Sequence, residues 1–109
     1  MRSRFAAFAT KELTYLWRTL HADHDDRARP EDGVLRELRE ACNTNRYLRL
    51  TIVEASGPDG DGVARVVFTA RVFCRGRDLS FTERSLFLHD GIGWRYLRGE
   101  PHDLAASRE

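Results

Sequence analysis

The sequence predicts an α+β domain in which N-terminal helices pack on a curved, four-stranded antiparallel sheet. Three observations lead there. Apolar residues recur at spacings of three and four only as far as Cys42. Beyond it they alternate with polar residues, in runs separated by turn signals short enough to make hairpins. The chain has 109 residues, 41% of them hydrophobic, which suits one core, since folding at this size hides roughly two thirds of the unfolded chain's surface. Helices first and strands afterwards is the order of a segregated α+β fold.

Residues 1–9 (MRSRFAAFA) hold no Gly or Pro, and Phe5, Phe8 and Ala9 share one helical face. Thr10 reads as a break and as the N-cap of a second helix, with Glu12 near the positive end of its dipole. Leu13, Leu16, Trp17 and Leu20 form the apolar stripe of that helix. The polar stretch His21–Asp26 is a loop. Pro30 opens a third helix, where its missing N–H would be unpaired anyway. Leu35, Leu38 and Cys42 make the third stripe, and Asn43-Thr44-Asn45 ends it. The first strand is 47–55, with Leu48, Leu50 and Ile52 on one face. Gly57-Pro58-Asp59-Gly60-Asp61-Gly62 is the strongest turn signal in the chain. The second strand, 63–74, points Ala64, Val66, Phe68, Ala70, Val72 and Cys74 one way, and Arg65, Thr69 and Arg71 the other. Arg75-Gly76-Arg77 turns into a third strand, 79–89. A four-residue loop, 90–93, leads to a fourth strand, 94–98. The domain therefore spans 1–99, and 100–109 is a polar tail that frays.

Several functional classes are excluded. No apolar run approaches the ~20 residues of a membrane span, and Lys11 and Glu12 interrupt any signal peptide. Two cysteines, Cys42 and Cys74, are too few for a zinc framework or a disulfide scaffold. They read as free thiols of a reducing, cytoplasmic setting. A net charge of +1 gives no electrostatic case for nucleic acid. There is no Ser-His-Asp spacing, phosphate-cradling glycine loop or nucleophile elbow. His24 with Asp23, Asp25 and Asp26 has a metal-like composition but lies in one loop without a second cluster. No metal and no cofactor is expected.

Hairpin arithmetic singles out one constellation. If the 75–78 turn pairs Cys74 with Leu79, Ala70 faces Glu83 and Phe68 faces Ser85. The 90–93 loop pairs His89 with Trp94, Phe87 with Tyr96 and Ser85 with Arg98. The inner face then carries Leu79, Phe81, Glu83, Ser85, Phe87, Trp94 and Tyr96, with one carboxylate among them. A buried carboxylate must be paired or protonated. One reading is an ion pair, in which Arg4 or Arg98 neutralises Glu83 and pins the first helix to the sheet. The other is a pocket general base, with Tyr96 and His21 as catalytic partners of Glu83. The candidate ligand-binding set is Arg4, Glu83, Ser85, Trp94, Tyr96 and Arg98. His89 and His102 read as solvated. On the outer face, Arg65, Arg71 and Arg95 mix with Val63, Val67 and Phe73, which suits a homodimer interface better than an RNA-binding stripe.

The ordered segments MRSRFAAFA, YLWRTLHA, YLRLTIVEA, GVARVVFTARVF and ERSLFLHDGIGWRYLRGE resemble the middle domain of the bacterial YchJ family over about residues 1–99. The resemblance implies the nuclear-transport-factor-2-like (SnoaL-like) cone and no assigned activity. Family members place a Cys-rich segment before the MRSR motif, and many carry a zinc-binding SEC-C segment after the domain. Neither motif stands in this sequence, so the zinc implication does not transfer. Met1 falls where relatives have an internal methionine, which leaves an upstream start open. Where relatives read Trp-His-Pro, this chain has Leu20-His21-Ala22. The expected function is a non-enzymatic small-ligand-binding or protein-interaction module with a cone pocket. The alternative is a small isomerase or hydratase using Glu83.

Overall fold

A computed structural model describes residues 1–102. Its elements run α1 (Arg2–Thr10), α2 (Leu13–Arg18), a 3-10 turn (Asp25–Ala28), α3 (Glu31–Thr44), β1 (Asn45–Ser56), β2 (Val63–Cys74), β3 (Arg77–Asp78), β4 (Phe81–His89) and β5 (Trp94–Pro101). The sheet order is β1-β2-β4-β5, antiparallel throughout, with β3 beside the end of β2. Helices first, then a meander, is the architecture the sequence predicts.

Thr10 is helical and is not the cap of α2. Its hydroxyl donates to the Ala6 carbonyl at 2.8 Å, and Lys11 ends α1 in the left-handed conformation at φ 61°. Helix α2 stops before Leu20 because the chain next pairs with β5. Tyr96 N donates to Thr19 O and His21 N to Tyr96 O, both at 2.8 Å, around a parallel bridge at Leu20. Arg27, from the 3-10 turn, places Nη2 at 3.0–3.3 Å from the carbonyls of Trp17, Arg18 and Leu20. A cation at the negative end of α2 terminates it.

Two irregularities in pairing decide which side chains face inward. In β1, register slips between Tyr47 and Arg49 and between Ile52 and Glu54. The inserted residues, Leu48 and Val53, are 55% and 47% exposed. Leu48 is thus outside rather than inside, and Tyr47 packs inward with Leu50 and Ile52, because one extra residue reverses the side-chain phase. In β4–β5 the slip lies between Leu86 and Phe87: Phe87 pairs with Tyr96 but Leu86 with Arg98, leaving Leu97 as the extra residue. Ser85 consequently meets Gly99 and not Arg98.

The β2–β4 register also differs from the expected one, by two residues. Phe68 faces Glu83 and Val66 faces Ser85. The cause is the turn. Arg75 and Gly76, at φ 52° and 80°, close a two-residue loop that pairs Cys74 with Arg77, where the sequence suggested four residues. A shift of two keeps every side chain on its predicted face. Strand β5 continues through Gly99 to Pro101, into the expected tail; residues 103–109 of that tail lie outside the described residues.

One core cluster joins the helices through Ala7, Leu16 and Cys42. The other lies on the sheet, where Phe68, Ala70 and Val72 meet Met1, Phe5 and Tyr47. Helix α1 is wedged between them and presents Phe5 to one and Ala7 to the other. Both cysteines are free, Cys42 buried and Cys74 half-buried. On the outer face Val67 and Leu86 are already buried. Arg84 lies across from Val67, and Arg65 and Arg98 across from Leu86, with stems long enough to cover them. Arg65 and Arg95 pair with Asp59 and Asp90 at 2.6 and 2.7 Å. Among the described residues no helix is long and apolar enough to cross a membrane.

Candidate functional site

The helices do not close down on the sheet completely. Between them lies a cavity of about 430 Å³. Its walls are apolar and include Phe5, Phe8, Leu16, Leu38, Phe68 and Val72. Leu79 and Phe81 also line it and are 44% and 45% exposed, so they form its mouth. The polar residues of the lining are Arg4, His24, Asp26, Asn45, Tyr47, Glu83 and Tyr96.

Glu83 reaches the cavity from β4. Its Oε2 accepts the Ser85 hydroxyl at 2.7 Å and the Tyr96 hydroxyl at 3.2 Å. Ser85 is wholly buried, so this bond satisfies a hydroxyl cut off from water. The carboxylate lies against Gly99, close enough that a Cβ there would collide with it. Gly99 thus makes the space Glu83 occupies. The sequence marks it only as a glycine after an aromatic strand, and the bulge that turns it inward leaves no mark on the alternation.

Arg4 comes from α1 and is 7% exposed. Its Nη1 donates to Leu16 O at 3.1 Å and to Thr19 Oγ1 at 2.5 Å, and its guanidinium sits 4.7 Å from the centre of the Tyr96 ring. Among the described residues it makes no ion pair with Glu83. The first helix is pinned by carbonyl, hydroxyl and ring contacts instead. Burial pulls the guanidinium below its ordinary value, and the charge of Glu83 opposes that. Tyr96 is driven well above the usual phenol range, by burial first and then by the Glu83 charge. Tyr96 therefore stays protonated and remains a donor.

His24, and not the expected His21, is the histidine at the cavity. His21 is not among the residues lining the cavity. Its Nδ1 accepts Asp23 N at 3.0 Å and lies 3.8 Å from the Asp23 carboxylate. His24 does line the cavity, with its ring 5.6 Å from that of Tyr96 and its Nδ1 accepting Asp26 N at 3.0 Å. Burial, above all, lowers its proton affinity; Asp26 and Asp25 oppose this, and Arg4 and Arg27 add to it. The unfolded chain therefore binds a proton at this histidine more readily than the folded one. Stability should be undiminished above the ordinary imidazole value of about 6.5 and fall as pH drops through it. His24→Gln is expected to flatten that acid-side loss, read as the difference between urea midpoints at neutral and mildly acidic pH.

Of the other candidates, Arg98 is turned to solvent by the bulge and contacts Glu100 at 3.4 Å. Trp94 is 45% exposed. It borders a second space of about 260 Å³ with Ser3, Tyr15, Ala64 and Phe87, separated from the first by Met1 and Arg4, which line both. Arg4, Glu83 and Tyr96 are thus brought together in one cavity, with Ser85 behind them, while His21, Trp94 and Arg98 stand apart. Among the described residues no group of three or more His, Cys, Asp or Glu side chains is placed to hold a metal ion.

Comparison with known proteins gives a consistent picture. Residues 1–99 match the family described as the YchJ middle NTF2-like domain. A UPF0225 protein YchJ of Shigella dysenteriae is 32% identical over 99 residues, covering 91% of this chain and 62% of that protein. The chain therefore spans less than two thirds of that relative's length. The solution structure of a SEC-C motif containing protein from Rhodopseudomonas palustris superposes with a TM-score of 0.76 at 30% identity, over 94% of this chain and 76% of that one.

Proposed function

Since the chain belongs to the YchJ family, as its NTF2-like middle domain, we propose that it is a binding module that takes a small molecule into the cavity between helices and sheet. The observation that carries this reading is the cavity itself: apolar walls, an apolar mouth and a few convergent polar groups, among them the Glu83 carboxylate bonded to the wholly buried Ser85. Such a combination, at several hundred cubic ångströms, is typical of ligand sites. A space of this size left beside a sheet lowers stability relative to a filled core, which makes sense if something else fills it.

Propylbenzene tests the reading without engaging the polar groups. Titrated into isotope-labelled protein, it is expected to shift the amide signals of Phe68, Ala70 and Tyr96. Ala70→Phe, which fills the cavity from its sheet wall, is expected to abolish the shifts while leaving the rest of the spectrum folded. No shifts in the wild type, from propylbenzene or from its 4-hydroxy and ionic analogues, would overturn the reading.

A second reading, an isomerase or hydratase with Glu83 as general base, draws support from one detail. The Ser85 and Tyr96 hydroxyls both engage Oε2, so Oε1, with no donor among the described residues, keeps its lone pairs for a substrate proton. Turnover lost in Glu83→Gln with ligand binding retained would favour it over simple binding.

A further inference from the structure

Resting on the cavity as a binding site, we infer that its ligand is an uncharged, largely apolar molecule that presents a hydrogen-bond donor, a hydroxyl or an amide N–H, to Glu83. The charges around the cavity carry the first half of this inference. Arg4 brings one positive charge and Glu83 one negative. Asp26 is held by Arg29 at 3.3 Å, a cation it shares with Glu37, and keeps 36% of its side chain in solvent. His24 uses Nδ1 as an acceptor, and the hydroxyls of Tyr47 and Tyr96 are neutral. The side chains of the interior are therefore balanced, and the α-amino group of half-buried Met1, which also lines the cavity, has its proton affinity lowered first by burial and then by Arg4. An ionic ligand would bring an unmatched charge against Phe5, Phe68 and Leu16, and burying a charge without a partner is far more costly than burying a neutral hydroxyl.

Hydrogen-bond accounting supplies the second half. An ionised carboxylate can only accept. Oε2 of Glu83 already takes two hydroxyl donors, and Oε1 takes none among the described residues. A guest that meets Oε1 must supply the donor. His24, with Nδ1 engaged, has Nε2 left to donate to the lone pairs of a hydroxyl. A phenol-like group is thus matched on both sides, while a carboxylate guest would set acceptor against acceptor at Glu83.

Three probes of nearly equal size separate the alternatives: 4-propylphenol, 4-propylbenzoate and 4-propylbenzylammonium, each titrated at neutral pH and followed by amide shifts. The phenol is expected to bind at least tenfold more tightly than either ion, and more tightly than propylbenzene. Glu83→Gln leaves Arg4 unbalanced, so the benzoate should overtake the phenol in that variant. If either ion equals the phenol in the wild type, or propylbenzene does, the ligand class is wrong although the cavity reading stands. If none of the four compounds binds, both fail. Should Glu83→Gln not fold, the wild-type ranking alone decides.

Discussion

Arg4→Met is expected to cost about 3–5 kcal/mol, a large part of the stability of a domain this size. Methionine keeps much of the volume and none of the donors. The change leaves the Leu16 carbonyl and the Thr19 hydroxyl, both buried at the end of α2, without the cation that serves them at 3.1 and 2.5 Å. Hydrogen bonds from charged donors contribute about 1.5–3 kcal/mol each. The stacking on Tyr96 at 4.7 Å adds about 1–2 kcal/mol in a desolvated setting. Arg4→Lys should recover only part of the loss, because a point charge cannot serve a carbonyl, a hydroxyl and a ring face together. Urea midpoints for the three proteins decide the matter. A methionine variant as stable as wild type would mean that α1 is held by its apolar contacts alone.

Gly99→Ala is expected to damage the site far more than the fold. The added methyl collides with the end of a flexible side chain and not with backbone, so the Glu83 carboxylate can move aside. Moving it strips the acceptor from Ser85, which is wholly buried, at about 1–3 kcal/mol. It also breaks the bond to Tyr96 and takes the acceptor away from the cavity, so 4-propylphenol should bind no better than propylbenzene. A double-mutant cycle makes the mechanism visible. In a Glu83→Ala background the same glycine substitution should be nearly neutral, because nothing is left for the methyl to displace. Equal costs in both backgrounds would place the strain in the β5 backbone instead.

The segregated order of helices and strands was legible because it rests on periodicity, which survives local irregularity. The face of Glu83 was legible for the same reason: even with the turn at Arg75-Gly76 two residues shorter than expected, an even shift leaves parity intact. Single-residue bulges were not legible. Leu48 and Leu97 are ordinary strand residues, and nothing in their chemistry announces that the partner strand skips them. Each reverses the alternation beyond it, and so Arg98 was placed inside and Gly99 overlooked. The presence of His24 at the cavity, where His21 was expected, has a different origin. Both lie in a loop whose course is set by pairing with β5 and by the Arg27 cap, contacts distant in sequence that no local pattern encodes. The expected tether between Arg4 and Glu83 failed on geometry: opposite charges on facing elements suggested a pair, but the end of α2 offered Arg4 nearer acceptors.

The extra residue at Leu97 works on β5 as a phase slip. Were Leu97 paired with Leu86 and not skipped, the alternation from Tyr96 would carry Arg98 to the position opposite Ser85, beside Glu83, and two opposite charges would meet across neighbouring strands. The sheet would then hold a sealed ion pair where it now holds a carboxylate oxygen with no donor among the described residues. One skipped residue in the pairing, with the sequence unchanged, thus determines whether this carboxylate serves the scaffold or stays available to a guest.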